Sequence, residues 1–165
     1  MTVLRDQLLA GRAVAVRGSV KSSVRDALTE LGASTQDDRA EVLVYDAADA
    51  FAAGGREGLR AAVDGAWDAI LEVAGEWATP DTGAAATRKI MLIAPRPDAG
   101  QFVAAAVGSL ENLARTLSVE WARFAVSTTV VVPADDDELV AELVCFLASA
   151  AGDYFSGCRF DLGGR

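Results

Sequence analysis

Short apolar runs that are typical of β-strands alternate with longer stretches of helical periodicity along the whole chain. Apolar residues three and four positions apart predict helices over 56–78, 101–123 and 136–151, and a shorter helix, capped by Ser22 or Ser23, follows the first run. Such an alternation predicts an α/β fold, a mainly parallel sheet with helices on both faces. The strand candidates are AVAVR (13–17), EVLVY (41–45), KIMLI (89–93), VSTTVVV (126–132) and CRFDL (158–162).

Composition limits the classes of protein to which this chain can belong. It has 165 residues, 52% of them hydrophobic, with neither an internal repeat nor a linker, so a single domain with its own core is expected. The formal net charge of −9 disfavours nucleic acids and anionic membranes as partners, because both require basic patches. With no His, and with only Cys145 and Cys158, the chain cannot build a Cys/His zinc cluster.

Two further features bear on the cellular setting. The sequence shows neither an export signal nor an apolar stretch of membrane-spanning length, which predicts a cytoplasmic protein with reduced cysteines. Its richness in alanine, and in arginine over lysine, is typical of GC-rich bacterial genomes.

Two segments in the second half of the chain resemble the short-chain dehydrogenase/reductase family. They are FVAAAVGSLENLARTLSVEWA (102–122) and LVCFLASAAGDYFSGCRFDLGG (143–164). Between them, VSTTVVVPA corresponds to the family's strand that ends in Pro-Gly, with Pro133 retained and Ala134 in place of Gly. The resemblance implies one truncated, Rossmann-like domain over residues 1–165.

The same resemblance implies that the family's catalytic residues are missing. The family's Tyr-x-x-x-Lys pair corresponds to Val103 and Val107, and its catalytic Ser corresponds to Ala94 or Pro95. Valine has neither a proton to donate nor a charge, so it replaces neither the Tyr acid nor the Lys that lowers the pKa of that Tyr. The chain is therefore expected to be a pseudoenzyme.

The segments that bind the cofactor and cover the substrate in the family are also reduced. Of the glycine turn that holds the dinucleotide pyrophosphate, only Gly18 remains, followed by Ser19 and Lys21, so no cofactor is expected. The six residues STQDDR (34–39) are too few for the strand–helix–strand unit that the family has here. Pro133 leads directly into the next helix, without the family's substrate-binding insertion.

What remains are the segments that family members use for subunit contacts. The leading hypothesis is a non-catalytic subunit that assembles with a full-length, active short-chain dehydrogenase/reductase in a hetero-oligomer, and assembly with itself stays open. The predicted contact residues are large and apolar: Trp67, Ile70, Trp77, Phe102, Leu110, Leu113, Leu117, Trp121, Phe146 and Phe160.

Two other functions remain open. A homo-oligomeric binding module could hold a small polar or cationic molecule in the vacated cofactor cleft, near Tyr45, Asp46 and Asp64. An enzyme with relocated chemistry could use Tyr45 with Asp46, or Tyr154, as acid and base. Adjacent residues of a strand point to opposite faces, so Tyr45 and Asp46 are poorly placed to act together.

Overall fold

Five strands form one sheet, all parallel, in the order in which they follow one another along the chain. The structure, a computed structural model, describes residues 4–35, 39–78 and 87–163. It confirms the predicted Rossmann-like α/β fold. The strands are β1 (Val14–Gly18), β2 (Val42–Asp46), β3 (Arg88–Ile93), β4 (Val126–Val132) and β5 (Cys158–Asp161).

Helices connect the strands where the periodicity predicts them. They are α1 (Ser22–Glu30), α2 (Ala48–Phe51), α3 (Gly55–Ala74), α4 (Val103–Glu120) and α5 (Asp137–Ala148). The short α2 was not predicted, because four residues are too few to show a helical period. The predicted serine cap of α1 is wrong: the helix begins after Lys21, whose side chain makes no capping hydrogen bond. Asp136 does cap α5, accepting from the N–H of Glu138 at 3.0 Å.

The long helices form two layers, one on each face of the sheet. β2 packs Leu43 against the layer of α3 and α4, and it packs Val42 and Val44 against the layer of α1 and α5. Every residue of β2 and of β4 is buried. Because both faces of the sheet are covered, the strands read as continuous apolar runs rather than as alternating ones.

The hands of the strand crossovers follow from this arrangement. Each strand is added on the same side of its predecessor, so a crossover through one helical layer has the opposite hand to a crossover through the other. The crossovers through α3 and α4 share one hand, and those through α1 and α5 share the other. Right-handed crossovers make up about 98% of cases. Two of the four crossovers in this sheet are therefore exceptions.

The chain pairs briefly with the outer edge of β1 before it forms β2. Val14 donates its N–H to the carbonyl of Ser34 at 2.8 Å, and Ser34 donates to the carbonyl of Arg12 at 2.8 Å, which makes one parallel bridge. On the other side of β1, Glu41 donates to the carbonyl of Ala13 at 2.9 Å. Ser34 and β2 therefore lie on opposite sides of β1, and the unit from β1 through α1 to Ser34 has the same hand as the crossovers through α3 and α4.

Candidate functional site

The turn that contains Gly18, Ser19 and Lys21 lies at the carboxyl edge of the sheet, where open parallel sheets bind their ligands. Gly18 has a left-handed φ of 72°, and a Cβ at this position would overlap the carbonyl oxygen of Asp46. Ser19 donates its N–H to the same oxygen at 3.3 Å. The turn therefore rests directly on the end of β2, and close packing between two strands is sufficient reason for the glycine.

The polar groups of this turn are engaged within the chain. The ammonium of Lys21 lies 2.5 Å from a carboxylate oxygen of Asp137, and the hydroxyl of Ser19 accepts a hydrogen bond from the N–H of Asp49 at 3.0 Å. Asp49 and Asp137 raise the pKa of the nearby Asp46 carboxyl and Lys21 lowers it, so two further carboxylates and one ammonium act on Asp46. The ammonium of Lys21 is already paired, although the start of a helix ordinarily attracts anions.

The acidic and phenolic residues suggested for a vacated cleft are not brought together. The Asp46 carboxylate is buried and accepts from the N–H of Ala48 at 2.9 Å, and burial raises its pKa. Tyr45 lies on the other face of β2, beneath Gly65 of α3, and burial raises its pKa to about 12. Asp64 is exposed on α3 in an ion pair with Arg60 at 3.2 Å. The suggested cluster is therefore wrong as a single site.

Apolar side chains fill the positions to which the sequence resemblance assigns catalytic groups. Val103 and Val107 lie in the first two turns of α4 and are buried in the core between the sheet and the α3–α4 layer. Ala94 and Pro95, which follow β3, are buried as well. Buried methyl groups of this kind can neither donate nor accept a proton, so these four residues support no acid–base chemistry.

The predicted contact residues divide between the core and the surface. Ile70, Trp77, Leu110 and Leu117 are buried within the chain, so they have no surface to offer to a partner, and the prediction for these four is corrected. A helical period identifies apolar positions, but it does not tell which of them the chain covers itself. The remaining six have accessible surface: Trp67, Phe102, Leu113, Trp121, Phe146 and Phe160.

Phe146 and Phe160 differ from Trp67 in their surroundings. Phe146 and Phe160 both pack against Phe155, with ring centroids 6.0 Å and 5.3 Å away, and so belong to a small aromatic cluster of the chain itself. Trp67 is 41% exposed and lies one turn before Leu71, which is 50% exposed, on the same side of α3. Trp67 is thus the stronger candidate for a contact with another protein.

A groove with a volume of about 460 Å³ runs between α3 and α4 on their outer side. Val63 of α3 lines it together with mostly small and polar residues of α4. Exposed Trp67 and Leu71 follow Val63 at intervals of four residues along α3, and Val119, which is 77% exposed, follows near the end of α4. We call this surface the α3–α4 face. Its residues are Val63, Trp67, Leu71, Ala105, Gly108, Ser109, Asn112, Leu113, Thr116 and Val119.

Gly108 has no internal reason to be a glycine. It lies in the middle of α4 with ordinary helical geometry, and a Cβ at this position would have no atom of the described chain within 4 Å. Glycine in an exposed helix interior costs about 1 kcal/mol relative to alanine. Gly65 on α3 differs, because a Cβ there would collide with the hydroxyl of Tyr45. Gly108 therefore leaves space above the helix that the chain itself does not use.

Lys89 is a buried cation that sequence reasoning treated only as part of a strand. Its side chain is 2% exposed, and its ammonium donates to the carbonyls of Leu147, at 2.8 Å, and Ser149 at the end of α5. The carboxylate of Asp153 lies 2.6 Å away. Burial lowers the pKa of Lys89, and the hydrogen bond that its ammonium donates to Asp153 opposes this change. The contacts fasten β3 to α5, and they leave the ammonium no room for a substrate.

Within residues 4–35, 39–78 and 87–163, no group of three or more Cys, Asp or Glu side chains is arranged to hold a metal ion. Both cysteines are free thiols; Cys145 is buried, which raises its pKa to about 12, and Cys158 is partly exposed. Among the same residues, no helix combines the length and the apolar character needed to span a membrane.

Comparison with known proteins shows the fold. Neither a protein-family model nor a curated protein sequence matches the chain. Solved structures do match, among them the Pseudomonas aeruginosa RhlG/NADP active-site complex, with 14% identity, a TM-score of 0.76 and coverage of 98% of each chain. The hydroxysteroid dehydrogenase from Escherichia coli has 14% identity and a TM-score of 0.75, over 96% of this chain and 98% of the other. BdcA (YjgI) from E. coli has 19% identity and a TM-score of 0.69, over 94% and 100%.

The chain has the fold of the short-chain dehydrogenases/reductases. The three neighbours named above are members of that family, and the alignments extend over nearly the whole of both chains. Identities below 20% make this a likeness of fold alone. What the chain does must therefore be argued from its own residues.

Proposed function

We propose that this chain is a non-catalytic subunit with the short-chain dehydrogenase/reductase fold, which assembles through its α3–α4 face with a full-length, active member of that family. Gly108 carries the proposal. A mid-helix glycine with open space above it lies in a groove that Val63 of α3 also lines, and exposed Trp67 and Leu71 follow Val63 one and two turns further along α3. This arrangement fits close approach by a helix of another subunit. Large aromatic residues beside small ones are typical of the centres of protein interfaces.

The filled catalytic positions support a role without chemistry. In the family, Tyr and Lys would stand at Val103 and Val107, but here both valines complete the chain's own core. The vestigial turn packs on β2, and its Lys21 is paired with Asp137. Hydride transfer by this chain alone would therefore lack its acid, its ribose-binding cation and its phosphate site at the same time.

The sheet topology supports an origin by loss of a strand–helix–strand unit. A doubly wound sheet has the order 3-2-1-4-5-6, with its second strand on the outer side of the first. The bridge between Ala13 and Ser34 lies on that outer side. The unit from β1 through α1 to Ser34 has the same hand as the crossovers through α3 and α4. Removing strands 2 and 3 would leave the sequential order seen here, and it would give the crossover from β1 to β2 the hand opposite to that of the crossovers through α3 and α4.

A catalytic relative is the partner that this combination favours. A subunit that keeps the family's helical layer but lacks its catalytic residues has no activity of its own to contribute. It can act only by completing or stabilising a partner that retains those residues. Pairing of the α3–α4 face with the same face of another subunit would also bury Trp67, Leu71 and Val119 together. Assembly with itself stays open, and the measurement described next separates the two.

The test is to purify the tagged chain from its native source and to identify what copurifies by mass spectrometry and by light scattering after size exclusion. The proposal expects a second chain that carries the Ser, Tyr and Lys of an active short-chain dehydrogenase/reductase. Co-expression of the two chains should then reproduce the complex. A stable monomer that ignores this partner, or ketone reduction by the purified chain alone with NADH or NADPH, would contradict the proposal.

Matched variants locate the contact on the surface. Trp67→Glu with Leu71→Glu places two charges on the α3–α4 face and should abolish the complex. The control is Leu139→Glu, because Leu139 is also 41% exposed but belongs to α5 in the other layer. Circular dichroism and the melting temperature establish that each variant is folded. If Leu139→Glu abolishes the complex and the paired variant does not, the contact lies elsewhere.

A further inference from the structure

The groove on the α3–α4 face has no charge, although the chain is rich in charged residues. Asp, Glu, Lys and Arg make up 24% of the sequence, yet none of the described residues that line this groove is charged. Two ion pairs lie elsewhere on the same helices, Arg60 with Asp64 at 3.2 Å and Arg115 with Glu111 at 2.7 Å. A charged side chain from a partner would therefore lose its hydration in this groove without gaining an opposite charge.

Three polar side chains lie in the groove instead, all of them on α4. Ser109, Asn112 and Thr116 follow one another at intervals of three and four residues, so they form one stripe along the helix. Ser109 is half-buried, and Asn112 and Thr116 are exposed. The stripe supplies hydroxyl and amide groups along a surface whose other lining residues are apolar or glycine.

The polar groups of this stripe are not used by the chain itself. None of the three side chains forms a hydrogen bond with another residue of the ranges 4–35, 39–78 and 87–163. Hydroxyl groups on other helical surfaces behave differently: Ser118 donates to the carbonyl of Arg115 at 2.7 Å, and Thr29 donates to that of Arg25 at 3.0 Å. A hydroxyl that bonds to its own helix needs no other partner. The stripe keeps its hydrogen-bonding capacity for something outside the chain.

Contact with another helix makes these groups selective. In the isolated chain, water satisfies an exposed amide, but a helix that covers the amide displaces that water. An apolar neighbour then leaves the amide without a hydrogen bond, whereas an amide or hydroxyl neighbour replaces the water. Asn112 offers both donors and an acceptor, and it lies one turn from Gly108, where the missing side chain permits the closest approach. A helix that packs over Gly108 therefore covers Asn112 as well.

Building on the proposed assembly through this face, we propose that Asn112 determines which partner the chain accepts. The occupant is an uncharged helix surface of the catalytic subunit. It places a large apolar side chain over Gly108 and, one turn away, an Asn, Gln, Ser or Thr that exchanges hydrogen bonds with Asn112. A single buried Asn between two helices sets register and oligomer state in the same manner, at a cost in stability. Exposed Trp67 and Leu71 add apolar contact, which discriminates less between partners.

Photo-cross-linking identifies the helix that covers the groove. p-Benzoylphenylalanine replaces Thr116, one turn from Asn112, in the tagged full chain, and the complex from the native source is irradiated and digested. Mass spectrometry should find cross-links to a helix of the second chain. Within one turn of the cross-linked residue, that helix should carry an uncharged polar side chain, which we call the facing residue. Cross-links only to charged or wholly apolar helix surfaces would overturn the proposal.

Paired variants test the contact itself. Asn112→Leu should raise the Kd of the complex about tenfold, because it leaves the facing residue without its hydrogen bond. Leu at the facing residue should do the same to Asn112. The two changes together should restore most of the affinity, because no polar group is then left unsatisfied. Independent, additive losses from the two changes would show that the residues do not meet, and would refute the proposal.

A control separates this effect from unfolding and from a general response to leucine. Thr29→Leu places the same side chain at an exposed polar position of α1, in the other layer, and should change the Kd by less than about twofold. The melting temperature of Asn112→Leu should not fall, because the wild-type side chain has no bond within the described chain to lose. Asn112→Asp should weaken binding more than Asn112→Leu, because it adds an unpaired charge.

The outcomes distinguish this inference from the assembly role on which it rests. If Trp67→Glu with Leu71→Glu abolishes the complex but Asn112→Leu leaves the Kd unchanged, the role of Asn112 is refuted and the assembly role is not. A complex that gives no cross-link from position 116 and survives the paired Glu variant lies on another surface, which refutes both. A complex that contains only copies of this chain overturns the choice of occupant.

Discussion

The two helical layers of this molecule cover the same sheet but differ from each other. Beneath α3 and α4 the core is apolar, and their outer face exposes Trp67, Leu71 and the unexplained Gly108. Beneath α1 and α5 lies the buried ammonium of Lys89, which pairs with Asp153. The α3–α4 layer is suited to lasting apolar contact with another subunit. The α1–α5 layer is instead fastened to the sheet by a buried charge.

The largest expected effect lies in the α1–α5 layer, at Lys89. Lys89→Met should lower the free energy of unfolding by about 4 kcal/mol, because it leaves Asp153 and the carbonyls at the end of α5 without their cation. Urea denaturation measures it. Asp153→Asn is the matched variant and should cost less, because the Asp153 side chain is one-third exposed. A larger loss from Asp153→Asn than from Lys89→Met would contradict this view of the layer.

The next effect tests the apolar core of the α3–α4 layer. Val107→Lys restores the family's lysine but places an ammonium in that core, and it should lower the free energy of unfolding by about 3 kcal/mol. The cost is below that of Lys89→Met because a long side chain near the start of α4 can extend toward solvent. Ala104→Lys, at an exposed position of the same helix, should be nearly neutral. Equal stability of the two variants would show that Val107 borders an open cleft.

A smaller effect, of opposite sign in two measurements, is expected at Gly108. Gly108→Ala should stabilise the isolated chain by about 1 kcal/mol through helix propensity and weaken assembly, because the added methyl group occupies space that the partner needs. Thermal denaturation and the Kd of the complex measure the two effects. Gly65→Ala is the matched control and should destabilise the chain, because its methyl group meets Tyr45. Unchanged assembly of Gly108→Ala would remove the main support for the proposed interface.

The smallest effect is a pH dependence at Asp46, at the carboxyl edge between the layers. Burial raises the pKa of Asp46, so the folded state disfavours its charge relative to the unfolded state, where the pKa is near 3.8. Asp46→Asn should therefore stabilise the chain at neutral pH, by about 0.5 kcal/mol. The gain should disappear below pH 3.8, where both states of the wild type are protonated. A gain that grows on acidification would contradict the assignment.

The fold could be predicted almost completely, because its signals are local. Alternating apolar runs and helical periods placed all five strands and the four longer helices within a few residues, since buried parallel strands and amphipathic helices each impose a pattern on their own segment. The candidate surfaces could be predicted only in part. Trp67 and Trp77 both occupy apolar positions of the helix predicted over 56–78, yet one is exposed and the other is buried.

By itself the sequence determined the sheet, the helices and the absence of a Tyr-x-x-x-Lys pair, because each depends on residues close together in the chain. Only the tertiary structure decided which polar groups find partners in distant parts of the chain and which apolar side chains stay exposed. Lys89 donates to the end of a helix some sixty residues further on, the Ser34 bridge requires the outer edge of β1, and Lys21 pairs with Asp137 more than a hundred residues away. Such contacts depend on packing between distant elements, which no local pattern encodes.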